Sequence, residues 1–293
     1  MSDTKFTGTG VAIITPFTTQ GEVDYPALER IVNNCIEGKV NYIVVLGTTG
    51  EPVTLNKAEK DQVVKCVVKA VAKRVPIIMG VGGNNTTEVV ESLKKSDFSG
   101  IDGILSVVPY YNKPNQIGIY EHYKQVALNS PLPLIIYNVP GRTGVNMNAD
   151  TALRLAKDFK NIIAVKEASG NMQQIMEILR NKPAGFSVIS GDDALTFPMI
   201  AMGACGVISV VANAYPADFS AMVSAALEGN YQLARKIHFD LMDIVSALFT
   251  EGSPAGVKAV LHAKGIIQNQ VRLPLTPVSE KHYQKILELM NHL

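Results

Sequence analysis

Cysteine is scarce in this chain, neither sign of charge is in excess, and no long apolar run occurs. Over 293 residues, 27 basic side chains stand against 26 acidic ones, which removes the electrostatic case for a nucleic-acid partner or a membrane surface. The three cysteines, Cys35, Cys66 and Cys205, are odd in number and widely spaced. They make neither a disulfide framework nor a zinc site, and a reducing compartment is expected. No stretch approaches the roughly 18 consecutive apolar residues of a membrane span. The opening MSDTKFTGTG lacks a basic segment leading into an apolar core, so no leader is expected and the chain reads as cytoplasmic.

What is present is a series of short β-branched runs: VAIIT from Val11, YIVVL from Tyr42, PIIMGV from Pro76, GILSVV from Gly103, PLIIYN from Pro133, IIAVK from Ile162, SVIS from Ser187 and GVISV from Gly206. None alternates apolar with polar residues, which is the pattern of strands buried on both faces of a parallel sheet. Helical periodicity fills the intervals. Asp24 with Pro26 opens a segment that carries Leu28, Ile31, Val32 and Cys35 on one face. Asn56 and Glu59 suit a capping box ahead of Val63, Val67, Ala70 and Val71, and Asn148 precedes Ala152, Leu155, Ala156 and Phe159 at i, i+3, i+4, i+7. Eight β-then-α units predict an α/β fold, a (β/α)₈ TIM barrel over residues 1–225. Beyond Tyr215 only helical pattern remains, so residues 226–293 are expected to form a C-terminal helical appendage packed on the barrel.

A parallel barrel builds its site at the C-terminal ends of the strands and in the loops after them. Those ends are GTTGE (Gly47 to Glu51), PYYN (Pro109 to Asn112), YNVPGRTG (Tyr137 to Gly144), Lys166 with Glu167, and SGDD (Ser190 to Asp193). Lys166 closes a buried apolar run. An ammonium in a low-dielectric cavity has its pKa lowered, and a neutral amine attacks a carbonyl to give an imine. The competing reading is a lysine paired with Glu167 or reaching solvent. GTTGE offers hydroxyls and freed N–H groups as a cradle for a small carboxylate, or is an ordinary glycine-rich turn; it lacks the lysine of a phosphate-binding loop. Arg142 reads as a bidentate carboxylate ligand or as an exposed loop arginine. Tyr110, Tyr111 and Tyr137 can relay protons or simply pack. Asp192 reads as a turn or N-cap residue, and the five histidines lie at no metal-ligand spacing.

In their order and spacing, GTTGE, PYYN, YNVPGRTG, VKEASGN, SGDD and GVISV resemble the dihydrodipicolinate synthase family over essentially the whole chain. The resemblance implies a class I aldolase-type lyase that condenses pyruvate with L-aspartate 4-semialdehyde in lysine and diaminopimelate biosynthesis. It implies that Lys166 forms an imine with pyruvate, that Thr48 and Thr49 hold the pyruvate carboxylate, and that Thr48, Tyr137 and Tyr111 form a proton relay. Tyr111 would reach the neighbouring subunit's site. Arg142 would bind the carboxylate of the semialdehyde, and Gly191 and Ile208 would line the pocket through their backbones. The imine nitrogen is then the electron sink, so no cofactor or metal is expected. The expected partners are the two small substrates and further copies of the chain, in a tight dimer and a tetramer.

The barrel and its lysine are shared with N-acetylneuraminate lyase and other pyruvate-dependent sugar-acid aldolases, which leaves that activity as an alternative, with a noncatalytic small-acid-binding barrel as another. Family members inhibited by lysine carry a serine after GTTGE and histidines on the following helix. Here Pro52, Lys57 and Lys60 stand in those places, whereas Asn84, Glu88 and Tyr110 match the allosteric lysine site. Two added cations facing a cationic effector predict weak or absent feedback.

Overall fold

Eight parallel strands, β1 (Gly8–Ala12), β2 (Tyr42–Val45), β3 (Ile77–Gly80), β4 (Gly103–Val107), β5 (Leu134–Asn138), β6 (Ile162–Glu167), β7 (Ser187–Ser190) and β8 (Gly206–Ser209), pair in sequence order, and β8 returns to β1. The result is a closed TIM barrel with helices between the strands. It is seen in a computed structural model that describes residues 5–293; the first four residues of the segment read above for a leader lie outside the described residues.

Successive side chains on a strand point to opposite faces, and here both faces are apolar. Tyr42, Val44, Ile78, Leu105, Ile135, Ala164, Ile189 and Ile208 form one cluster in the barrel interior. Their strand neighbours Ile43, Val45, Ile104, Ile136, Val165, Val188 and Val207 belong to the clusters formed with the surrounding helices. That double burial is why the strand runs show no alternation.

The helix starts follow their local chemistry. The Asp24 side chain accepts from Ala27 N at 2.9 Å, with Pro26 in the first turn. Asn56 accepts from Glu59 N at 3.0 Å while Glu59 accepts from Asn56 N at 2.9 Å, a complete capping box. Asn148 precedes the helix Ala149–Asp158 but makes no side-chain capping bond, and Phe159 is already the extended residue after that helix.

The first strand differs from its sequence reading. VAIIT places it from Val11, whereas β1 runs from Gly8 to Ala12, with Ile13 N still donating to Val44 O at 3.0 Å. The cause is steric. A Cβ on Gly10 would stand 2.1 Å from the Tyr42 ring, and Gly8 pairs with Gly206 where the barrel closes. Close approach there requires glycine, so the strand begins on residues that read locally as a turn.

After β8 come the helices Pro216–Leu227, Tyr231–Thr250, Ala255–Ala263 and Glu280–Met290. Arg272 donates to Gly21 O at 2.8 Å and Lys264 to Ala214 O at 2.6 Å, tying this region to the barrel. Among the described residues no helix is long and apolar enough to cross a membrane.

Closure is the sensitive step. Gly206 has φ +148°, and a Cβ there would lie 2.0 Å from Gly8 O, a backbone atom with nowhere to retreat. Gly206→Ala is expected to lower stability by about 3 kcal/mol or more, an overpacking cost with added backbone strain. Thermal unfolding of the variant measures this, and an unchanged Tm would contradict it.

Candidate active site

The site is built where β5, β6 and β7 end side by side. Tyr137 pairs in register with Lys166, and Lys166 with Ile189. Alternation turns Tyr137 and Lys166 toward the barrel axis and Asn138 and Glu167 away from it. Lys166 is 5% exposed, and its Nζ sits 4.2 Å from the centroid of the Tyr137 ring. Gly191, just past β7, leaves it room: a Cβ there would stand 2.9 Å from Lys166 Cε.

The salt-bridge alternative for Lys166 is not what the chain uses. Glu167 is fully buried and accepts from Asn138 Nδ2 at 3.2 Å to each oxygen, from Gln174 Nε2 at 3.1 Å and from Ser169 N at 2.7 Å. All these donors are neutral, and they come from the end of β5, the loop after β6 and the helix that follows it. Glu167 therefore anchors the end of β6 from its outer face, while Lys166 packs on the Tyr137 ring inside the barrel.

Desolvation brings the Lys166 ammonium down to a pKa of about 8; the negative charge of Asp193 opposes this and the positive charge of Arg142 adds to it. The Tyr137 phenol is pushed above the usual tyrosine range by burial, partly offset by Arg142 and by a hydrogen bond with Thr48. A good fraction of Lys166 is thus a neutral amine near pH 8, next to a phenol–hydroxyl pair able to pass a proton.

A cavity of about 760 Å³ opens beside these groups, lined by Thr48, Tyr137, Arg142 and Tyr110 and extending to Lys57, Lys60 and Glu88. Thr48 and Thr49 lie in a 3₁₀ turn, Thr48 exposed and Thr49 buried. Arg142 lies in the one-turn helix Pro140–Thr143, which opens on proline and ends at Gly144 with φ +71°; its Nη2 donates to Ser253 O at 3.3 Å. The sequence PGRTG thus encodes a start, a side chain and a stop.

The remaining residues named from sequence fall in three places. Gly191 and Ile208 lie at the end of β7 and within β8, with Ile208 buried in the barrel interior. Tyr111 is 87% exposed at φ +73° and is not in its own chain's cavity. Glu88 and Tyr110 line the outer arm of the cavity, whereas Asn84 is exposed and does not.

Asp193 is the residue that sequence reading missed. It is 3% exposed, and its carboxylate accepts from Ser209 Oγ at 2.5 Å and from Val210 N at 3.1 Å. Burial pushes its pKa up to about 6 against the pull of those hydrogen bonds. The available signal was its position at the end of the seventh strand run. Its neighbour Asp192 does cap, accepting from Ala194 N at 3.0 Å. Among the described residues no group of three or more His, Cys, Asp and Glu converges as a metal site.

Comparison with known proteins places these features in company. The model of the dihydrodipicolinate synthetase family matches residues 5–293. The chain is 54% identical to a 4-hydroxy-tetrahydrodipicolinate synthase of Parabacteroides distasonis, an overlap of 100% of this chain and 99% of that protein. It is similar to the crystal structure of dihydrodipicolinate synthase from Aquifex aeolicus at a TM-score of 0.94 and 45% identity, covering 98% of this chain and 97% of the other. A dihydrodipicolinate synthase of Cyanidioschyzon merolae with lysine bound is similar at a TM-score of 0.94 and 40% identity, covering 98% of each chain.

The buried amine makes a stability prediction. Because the folded pKa of about 8 lies below the ordinary 10.5, the unfolded chain holds the proton more tightly, and the folded state is penalised at every pH below about 8. The penalty fades as pH rises from about 8 toward 10.5. Lys166→Met should therefore raise Tm at pH 7, with the gain shrinking by pH 10. Thermal unfolding across that range tests it, and a lower Tm at pH 7 would contradict it.

Proposed function

The chain belongs to the dihydrodipicolinate synthetase family, and we propose that it is a 4-hydroxy-tetrahydrodipicolinate synthase, a lyase that joins pyruvate to L-aspartate 4-semialdehyde through an imine on Lys166. The observation that carries this is the desolvated Lys166 amine on the ring of Tyr137, which itself lines one cavity with Thr48 and Arg142.

The neutral amine attacks the carbonyl carbon of pyruvate, and loss of water from the carbinolamine leaves the imine. Protonated imine nitrogen withdraws electrons from the methyl group, which loses a proton to become the enamine carbon. That carbon attacks the aldehyde of the second substrate. The substrate's own amine then displaces Lys166 as the ring closes, returning the free enzyme. The nitrogen is the electron sink throughout, so the reaction calls for no metal or organic cofactor.

Thr48 and Thr49 hold the pyruvate carboxylate, Gly191 and Ile208 line the pocket through their backbones, and Arg142 takes the carboxylate of the semialdehyde. Thr48, Tyr137 and Tyr111 move the protons. The Tyr111 of one subunit serves its partner: its exposure at a left-handed backbone angle fits a side chain completed by a second copy. A tight dimer is then part of the active site, and a tetramer is its pair of dimers. The thiols Cys35, Cys66 and Cys205, none of them in a disulfide among the described residues, fit a reducing cytoplasm.

Three outcomes are expected. Borohydride reduction in the presence of pyruvate places a covalent mass increment on Lys166; no adduct there would sink the proposal. Arg142→Ala raises the KM for the semialdehyde by about tenfold or more while leaving pyruvate trapping intact, the scale for losing a charged carboxylate contact. An unchanged KM would favour a sugar-acid aldolase instead. Lysine inhibits weakly or not at all, because Lys57 and Lys60 line the groove that holds Glu88 and Tyr110. Strong inhibition at sub-millimolar lysine, with pyruvate near its KM, would overturn that last expectation.

A further inference from the structure

The residue that ends the GTTGE turn does not belong to the cavity. Glu51 is 2% exposed, and its carboxylate accepts from Lys258 Nζ at 2.5 Å and from Arg272 N at 3.0 Å. Lys258, in the helix Ala255–Ala263, has no exposed surface, donates also to Gln270 O at 2.9 Å, and lies 4.2 Å above the Phe17 ring. Arg272 covers the same ring at 4.5 Å and extends the network, donating to Thr54 O at 2.9 Å, Gly21 O at 2.8 Å and Glu59 Oε1 at 2.6 Å. The ion pair joins residues 207 positions apart.

The backbone explains what this network restrains. Glu51 has φ 51° and ψ 43°, a left-handed conformation that costs a residue with a Cβ of order 1 kcal/mol or more and persists only where surroundings impose it. That conformation closes the turn, since Glu51 N donates to Thr48 O at 3.1 Å and Gly50 N to Gly47 O at 2.9 Å. Thr15 Oγ1 clamps the other side, donating to Gly50 O at 2.7 Å. If the turn relaxed, Thr48 and Thr49 would shift as one unit, and Thr48 would lose its alignment with Tyr137. A buried ion pair is a poor source of net stability, because desolvation offsets the attraction. It is a good source of a single geometry.

We propose that Lys258 and Arg272 are positioning residues for the pyruvate site: their hold on Glu51 fixes the turn that presents Thr48 and Thr49. The C-terminal helical region is then part of the substrate-binding apparatus. This rests on the reading that those threonines hold the pyruvate carboxylate. The same region also receives Arg142 at Ser253 O, so both carboxylate positions lean on residues after the barrel.

Two variants test it, Glu51→Gln and the double variant Glu51→Gln with Lys258→Met, which removes both charges and leaves neither ion buried alone. The readouts are Tm, the pyruvate concentration that gives half-maximal borohydride trapping, and the extent of trapping at saturating pyruvate. The double variant should fold with a Tm close to that of the unaltered protein. Half-saturation should rise about tenfold, since small misplacements of binding groups weaken productive geometry steeply. Trapping at saturation should stay complete. Restoring the cation, as Lys258→Arg with Glu51 intact, should bring half-saturation back toward the starting value. Folded variants with unchanged half-saturation would overturn the proposal, as would a fall in Tm with no change in half-saturation. If the unaltered protein traps no pyruvate on Lys166, the imine reading itself fails and takes this one with it, a result the variants cannot mimic.

Discussion

Desolvation of one amine is the constraint that the rest of the site answers to. Lys166 is held at the inner end of β6, where packing on Tyr137 and the narrow space beside Gly191 leave its ammonium poorly solvated. Burial disfavours the charged form, and that sign is what makes an amine nucleophilic near neutral pH. A carboxylate in direct contact would reverse it. Glu167 is sent to the outer face by strand alternation and occupied there by Asn138, Gln174 and Ser169. Asp193 is closer in effect, but its oxygens are committed to Ser209, Val210 and Val211. It moderates the amine without capturing it.

The barrel supplies this arrangement as a consequence of closure. Parallel strands in register set Tyr137, Lys166 and Ile189 abreast, so the reactive groups share one level of the interior. The helices seal the outer faces, which is why a buried carboxylate such as Glu167 must draw its hydrogen bonds from side chains and loop amides instead of water. Loops after the strands then carry Thr48, Arg142 and Tyr111. The innermost groups are the most buried, and Tyr111 at the rim is nearly free of its own chain.

Much of this was legible because it is local. Apolar runs with no alternation identify doubly buried strands, a lysine closing such a run is expensive enough to notice, and PGRTG states its own turn. The first strand was misplaced because Gly8 and Gly10 are needed for contact with Asn41, Tyr42 and Gly206, partners that no local window contains. Asp193 escaped for a similar reason. Its sequence neighbour is the ordinary capping residue, and only the fold reveals which aspartate of the pair is buried against Ser209. The Glu51–Lys258 pair is still less legible: neither residue is unusual in its own segment, and the burial that gives the pair meaning arises only when the C-terminal helices settle on the barrel.

In the proposed reaction Arg142 acts on the nitrogen of Lys166 differently before and after the second substrate binds. With no second substrate bound, the Arg142 guanidinium adds to the depression of the Lys166 pKa and keeps the amine available for pyruvate. A carboxylate seated on Arg142 cancels that field. If it arrived first, the Arg142 contribution to the depression of the Lys166 pKa would be lost, while the larger one from desolvation would remain. Arriving second, it meets nitrogen already in the imine, where a protonated, electron-withdrawing form is what carbon–carbon bond formation requires. One arginine thus favours the neutral nitrogen before the imine and, once neutralised, the cationic nitrogen after it, a smaller effect laid over the desolvation that sets the Lys166 pKa.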